Sequence, residues 1–279
     1  MNTHGTPASR RSLDSSSGGG GAPQQGSVKS PALSLRRRAR LLIRHLGLDI
    51  HRYLPALDVD ARRSRLLHDH RVDMVVDGGA NRGQWALGIR GSGYRGPIIS
   101  FEPLAGPFAE LCRAAAGDPS WRCVRAALGD ADSEVSMNVA GNSTSSSLLP
   151  MEPAHVRAAP ESVYVGSEVV QVMRLDSVVP EMVRPGLRLA LKLDLQGYEA
   201  AALAGAEGIL ADVQLVESEL SVVPLYQGQP LYLDMIHMLD GLDFVLASVS
   251  EGLTDRATGR VMQLDAIFVR ADGHRSVAG

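Results

Sequence analysis

The 279-residue chain is poor in cysteine and lysine, has little net charge, and contains no long apolar run. Its two cysteines, Cys112 and Cys123, cannot staple a fold. No His or Cys lies around them at metal-ligand spacing, so both read as buried structural residues. No stretch approaches the ~20 apolar residues of a membrane-spanning helix, and the polar N-terminus lacks the form of a secretory signal. Together these absences predict a cytoplasmic protein. A formal net charge of -3 supplies no global field to draw nucleic acid or an acidic surface, so no nucleic-acid partner is expected. Lysine is nearly missing, at 2 against 26 arginines, which leaves Lys192 as the only lysine beyond residue 29.

What is present divides the chain. Residues 1–34, with "RSLDSSSGGGGAPQQGSVKS" at their centre, hold too little apolar surface to offset the entropy of ordering and are expected to be a disordered Gly/Ser/Pro-rich tail. "LRRRARLLIRHLGL" (35–48) sets Arg36, Arg37, Arg38, Arg40 and Arg44 beside leucines at helical spacing. That helix either packs its leucines on the domain or makes a peripheral contact with an anionic membrane. Residues 35–70 form a helical lead-in, 71–270 a single core and 271–279 a short C-terminal tail. A folded unit of ~240 residues would bury roughly 70–75% of its unfolded surface, enough for one core.

Within 71–270, apolar β-branched runs at 72–77, 97–101, 121–126, 188–194 and 213–218 alternate with helical patterns at 83–91, 104–116, 197–210 and 230–241. Alternation of this kind predicts an α/β fold with a doubly wound, mostly parallel sheet. Two late strands, 243–249 and 262–269, are joined by "SEGLTDRATGR" without a helix, which predicts an antiparallel edge strand. Residues 130–180 interrupt the pattern with short strands "EVSMNVA" and "EVVQVM" around the loop "GNSTSSSLLP", an insertion over one end of the sheet.

Ligands of open parallel sheets sit beyond the carboxyl ends of the strands. Acids close four of these strands: Asp77, Glu102, Asp194 and the pair Glu217 and Glu219. After the first comes "VVDGGANRGQW". A dinucleotide fingerprint would need its middle glycine at position 80, where the chain carries Ala80, which argues against a pyrophosphate. The phase Asp77-x-Gly79-x-Asn81-x-Gly83 suits a different ligand, such as S-adenosylmethionine. Glu102, 19 residues beyond Gly83, could take both hydroxyls of a ribose in either case.

The blocks "VVDGGANRGQWA", "ISFEPL", "AALGD", "SSSLLP", "RLDSV", "LKLDLQGYEAAALAGA", "ESELSVVPLYQGQP" and "LDAIFVR" run in order from about Leu46 to Arg270. In them the chain resembles the FkbM-type methyltransferases, which are S-adenosylmethionine-dependent and often methylate sugar hydroxyls of glycolipids, polysaccharides or natural products. One departure is Gly78, where the family more often has valine. The resemblance implies a class I methyltransferase (Rossmann-like) fold. It places Asp77, Gly79, Asn81, Gly83, Glu102, Pro103, Ala127, Leu128 and Asp194 at the cofactor. The acceptor would be a small molecule or a glycolipid.

An alcohol is a poor nucleophile near neutral pH, so a base or a divalent metal is needed beside it. Asp194 and Glu219 are expected to line the reaction centre, one of them as base. Glu199 is a third catalytic candidate or, alternatively, a stabiliser of its own helix N-terminus. Asp194 could instead contact the amino group of the cofactor. Asp194 with Glu219 could hold Mg²⁺, but no Asp-rich cluster supports it and no metal is predicted. Ser145 and Ser146 in the "NSTSSS" loop could hold the acceptor or the cofactor carboxylate, or belong to a lid. Tyr226, Gln227 and Gln229 resemble an acceptor-side loop suited to a sugar. Lys192 is left without a role, and a homodimer is left open.

Overall fold

A computed structural model describes residues 43–45, 47–48 and 54–271. The expected tail at 1–34, most of the basic segment at 35–48 and the C-terminal residues 272–279 lie outside the described residues. The chain divides into two units between Arg52 and Tyr53. In the first, residues 43–45 are helical and the Gly47 amide donates to the Arg44 carbonyl at 2.9 Å.

The second unit begins with α1 (Val59–Asp69), whose first turn is capped by the Asp58 carboxylate accepting from the Ala61 amide at 2.9 Å. Three strands and two helices follow: β1 (Met74–Gly78), α2 (Gln84–Gly91), β2 (Ile98–Phe101), α3 (Ala105–Ala115) and β3 (Trp121–Val124). The insertion supplies β4 (Ala127–Leu128), β5 (Ser133–Ala140), α4 (Pro153–Ala158) and β6 (Tyr164–Met173). The chain then returns through α5 (Leu175–Met182), β7 (Leu189–Leu193), α6 (Glu199–Ala204), β8 (Val213–Ser221), α7 (Tyr232–Gly241) and β9 (Phe244–Glu251). It ends with a two-residue ribbon, β10 (Thr254–Asp255) and β11 (Arg260–Val261), and β12 (Gln263–Arg270).

The main sheet has the order β3-β2-β1-β7-β8-β12-β9. Helical crossovers make the first five strands parallel, whereas the helix-free return after β9 makes β12 antiparallel to both neighbours. β12 is slotted between β8 and β9, so the antiparallel pair stands at the edge with β9 outermost. β1 and β7 are buried along their whole length, as expected for strands covered on both faces. Alternate residues feed two apolar layers. Met74, Val76 and Leu191 pack on one face and Val75, Ile98 and Ala190 on the other. Each fully buried side chain of this size contributes about 1.5–3 kcal/mol.

The insertion is a second sheet, β4-β6-β5, in which the two strands expected from sequence are joined by β4. Its inner face packs Ala127, Met137, Val170 and Val172 against Leu104, at the C-terminal ends of β1 and β2. Strand order reverses between β1 and β7, and the crevice of such a sheet opens there. Among the described residues, no helix is long and apolar enough to cross a membrane.

Candidate active site

β1 ends in a glycine turn that crosses the tip of β7. Gly79 has φ +72°, and a Cβ on it would run into the Asp194 carbonyl, so no side chain is accommodated. Gly83, also left-handed, caps α2 on the far side, where a Cβ would press on Trp121 and Leu111 at 3.0–3.1 Å. Gly83 therefore packs α2 onto the sheet. The side chain missing at Gly78 is replaced by Leu128, whose Cδ1 comes within 2.7 Å of where a Cβ would stand.

Asp77 lies beneath this turn and is fully buried. Strand alternation aims it at Lys192, its partner in the β1–β7 register, instead of at the crevice. Lys192 Nζ is 3.2 Å from Asp77 Oδ1, 3.7 Å from Asp194 Oδ2 and donates to the carbonyls of Gly78 and Gly79 at 3.2 and 3.0 Å. Ser100 donates to Asp77 Oδ2 at 2.8 Å, and Trp121 Nε1 donates to Ser100 at 2.9 Å. Burial pushes the Asp77 carboxyl up, opposed by Lys192 and Ser100. Burial also works against the Lys192 ammonium, but Asp77 and Asp194 outweigh it and hold its pKa above the ordinary value. Asp77 thus reaches the cavity only through Lys192 and the turn they hold.

Above the turn is a cavity lined by Gly79, Asn81, Glu102, Pro103, Ala127, Leu128, Asp194 and Ser146 from the sequence-derived set. Gln84, Leu104, Met137, Ser143, Thr144, Leu148, Leu195, Gln196 and Tyr198 complete its wall. Glu102 is 4% exposed and accepts the backbone amides of Asn81 and Leu104, one on each oxygen, both at 2.9 Å. Burial raises its pKa to about 7 against the pull of these two amides. Asn81 Nδ2 donates to Ser143 Oγ at 3.2 Å, drawing the 142–148 loop over the cavity. Five described non-glycine residues have positive φ, and three of them, Asn81, Ser143 and Gln196, are in this wall. Strain of this kind gathers where a ligand site over-determines the backbone.

A second cavity adjoins the first and shares Gln84 and Asp194 with it. Arg63, Trp85, Lys192, Glu217, Glu219 and Asp265 line it. Glu217, Glu219 and Asp265 share a sheet face because Glu217 and Glu219 are two apart on β8 and Asp265 is the cross-strand partner of Glu219. Arg63 clamps Glu217 with Nε and Nη2 at 2.7 and 2.6 Å, and Trp85 Nε1 donates to the same carboxylate at 3.2 Å. The Asp265 carboxyl is raised to about 6 by burial and by the nearby Asp194 and Glu217 charges. Glu219 is raised well above the usual carboxylate range by burial and by Asp194, Glu199 and Asp265.

Glu199 belongs to neither wall. It is 5% exposed, and its Oε1 turns back to accept the amides of Leu195 and Gly197 at 2.7 and 3.2 Å. It thereby braces the turn after β7, upstream of its own helix; burial raises its pKa to about 7. The acceptor-side candidates also separate. Ser146 Oγ accepts the Ala140 amide at 3.0 Å, and Ser145 closes a turn with Asn142. Tyr226 is fully buried, Gln229 Oε1 accepts the Tyr226 amide at 2.6 Å, and Gln227 is exposed on the outer turn. Tyr226, Gln227, Gln229 and Ser145 line neither cavity and form its frame. No motif in the sequence marks Arg63, Trp85, Gln196 or Asp265 as cavity residues. Only Lys192 carried a signal, as the lone lysine of the fold.

Among the described residues, no group of three His, Cys, Asp or Glu side chains is arranged to hold a metal ion. The arrangement offers a half-polar, half-apolar cavity beside a chamber rich in carboxylates, with Asp194 between them.

Residues 77–246 match the methyltransferase FkbM domain. No curated protein matches the sequence. Among solved structures, the chain is similar to an rRNA methylase from Streptococcus thermophilus, at 11% identity over 79% of this chain and 99% of that one, with a TM-score of 0.41. It is similar to fibrillarin from Aeropyrum pernix, solved with natively bound S-adenosyl-L-methionine, at 11% identity over 71% and 66% of the chains and a TM-score of 0.41. A third is precorrin-6y C5,15-methyltransferase from Geobacter metallireducens, at 9% identity over 74% and 86%, with a TM-score of 0.38.

Proposed function

Because the chain belongs to the methyltransferase FkbM family, we propose that it is a cytoplasmic S-adenosylmethionine-dependent O-methyltransferase whose acceptor is a sugar hydroxyl of a glycolipid, polysaccharide or glycosylated natural product. The observation that carries this reading is the pair of adjoining cavities with Asp194 in the wall of both.

The first cavity fits the cofactor. Glu102 is fixed by two backbone amides with lone pairs left for two ribose hydroxyls, and Leu104, Ala127, Leu128 and Met137 offer an apolar slot for a purine. When bound there, S-adenosylmethionine supplies an activated methyl group. The second cavity receives the acceptor. Asp194, Glu219 and Asp265 accept hydrogen bonds from hydroxyls, and the Trp85 indole suits the apolar face of a sugar ring. An anionic acceptor is disfavoured among so many carboxylates. Asp194 or Glu219 would take the proton from the acceptor hydroxyl, and alignment by the shared wall would supply the rest of the rate.

Titration calorimetry with S-adenosylmethionine and with NAD tests the cofactor: preferential NAD binding refutes the reading. The acceptor is tested by comparing metabolites of a deletion strain and its parent. Sugar-bearing species heavier by 14 daltons in the parent support it, and a methyl group found only on a non-sugar hydroxyl removes the sugar.

A further inference from the structure

Gln196 stands at the junction of the two cavities, on the turn after β7. Its Nε2 donates to Asp194 Oδ1 at 2.6 Å and to Glu219 Oε2 at 2.9 Å. One primary amide thus spends both protons on two carboxylates from different strands. The other end is held just as firmly: the Tyr226 hydroxyl, with one proton to give, lies 2.7 Å from Gln196 Oε1 and 3.1 Å from the Ser145 carbonyl. The backbone is pinned as well, since Ser147 Oγ donates to the Gln196 carbonyl at 2.7 Å. Gln196 is 9% exposed with φ +53°, a left-handed conformation that residues other than glycine rarely adopt. Packing needs none of this, because a glycine in the same place would be free of the strain.

We propose that Gln196 is a positioning residue that ties Asp194 and Glu219 into one proton-accepting pair, and that Tyr226 sets the orientation of its amide. Turned over, the amide would aim its oxygen at two carboxylates, and the tyrosine proton keeps it from doing so. Donation from Nε2 favours the charged form of both acids. On Glu219 it acts with Lys192 and against burial and the charges of Asp194, Glu199 and Asp265, which together hold that carboxyl well above the usual range. The tied pair borders the acceptor cavity, where its charged member would take the proton that leaves the acceptor hydroxyl. The last step alone rests on the methyl-transfer reading; the tie between the two acids does not.

The test is a pH titration of the ligand-free protein with carbon-13-labelled Asp and Glu carboxyls, followed by NMR. It is run on the parent, on Gln196→Met, which keeps the length but removes both donors, and on Tyr226→Phe. Losing a hydrogen bond to a charged group should move the Glu219 midpoint upward by about one pH unit in Gln196→Met. A smaller shift in the same direction is expected in Tyr226→Phe. With acceptor in hand, the pH optimum of kcat should move with the Glu219 midpoint. A Glu219 midpoint within about 0.3 units of the parent in a folded Gln196→Met overturns the proposal. If Gln196→Met does not fold, the Tyr226→Phe titration decides alone, and an unchanged midpoint there overturns it. A shifted midpoint in a protein that transfers no methyl group would uphold the tie and refute the proposed function.

Discussion

Lys192 and Asp77 face each other across neighbouring parallel strands, Nζ to Oδ1 at 3.2 Å, and the same ammonium takes the carbonyl of Gly79 at 3.0 Å. One buried cation therefore neutralises an acid under the sheet end and pins the glycine turn above it. Removing it strands a buried carboxylate, which typically costs about 3–5 kcal/mol. Lys192→Met should lose stability of that order in urea unfolding at pH 8. The loss should shrink toward pH 5, where Asp77 can take up a proton. A loss that does not depend on pH would show that the pair does not carry the effect.

The glycine turn makes a sharper demand. At Gly79 a Cβ meets both a left-handed φ and the Asp194 backbone, which cannot yield as a side-chain tip can. Gly79→Ala should cost at least about 2 kcal/mol, combining strain and overpacking. Gly78→Ala meets Leu128 Cδ1 at 2.7 Å and only grazes Leu193 Cδ2 and the Lys192 carbonyl at 3.3 Å, so it should cost less, with part of the loss recovered when Leu128 is shortened to Ala. Thermal unfolding of the three variants ranks them, and equal losses at Gly78 and Gly79 would contradict the geometry.

Five buried or half-buried carboxyls, Asp77, Glu102, Glu199, Glu219 and Asp265, are raised and contribute to the pH dependence of stability. Glu102 and Glu199 are raised to about 7 and Asp265 to about 6, against ordinary values near 4. For an acid whose folded pKa is raised, the unfolded chain gives up its proton first. Stability from these groups is therefore greatest below the unfolded value and falls as pH climbs toward the folded one. Stability of the ligand-free protein should decline between about pH 4.5 and 7. Glu102→Gln should flatten that slope by one proton's share.

The same Glu102 governs the proposed cofactor contact. A charged carboxylate accepts two ribose hydroxyls more strongly than a protonated one. The dissociation constant for S-adenosylmethionine should weaken as pH falls below 7, and Glu102→Ala should weaken it at every pH. Calorimetry at pH 6, 7 and 8 checks both. An unchanged constant in Glu102→Ala would remove the ribose contact.

Asp194 borders both cavities, so its charge is the one most exposed to the reacting groups. Asp194→Asn should lower kcat by about 10²–10⁴-fold with little change in unfolding midpoint. Full activity in that variant would exclude Asp194 as the base and leave Glu219.

Much of this architecture was legible in the sequence because its causes are local. Apolar runs of strand length separated by helical periodicity fix the alternation of β1 to β8. The helix-free return before β12 fixes its antiparallel sense. Acids at strand ends mark one edge of the sheet, since alternation is set residue by residue along each strand. What a side chain does after its strand ends is decided elsewhere. Glu199 follows Asp194 by five residues, yet it folds back on its own turn, because the amides of Leu195 and Gly197 lie closer than any cavity. Gln196 ties two acids only because β7 and β8 lie side by side and Tyr226, 30 residues on, reaches its oxygen. Arg63 meets Glu217 across 154 residues of sequence. The chain's own pattern determined the sheet and the edge on which chemistry could occur. Only tertiary pairing, which brings distant turns within hydrogen-bond reach, decided which polar groups line a cavity and which merely hold the others in place.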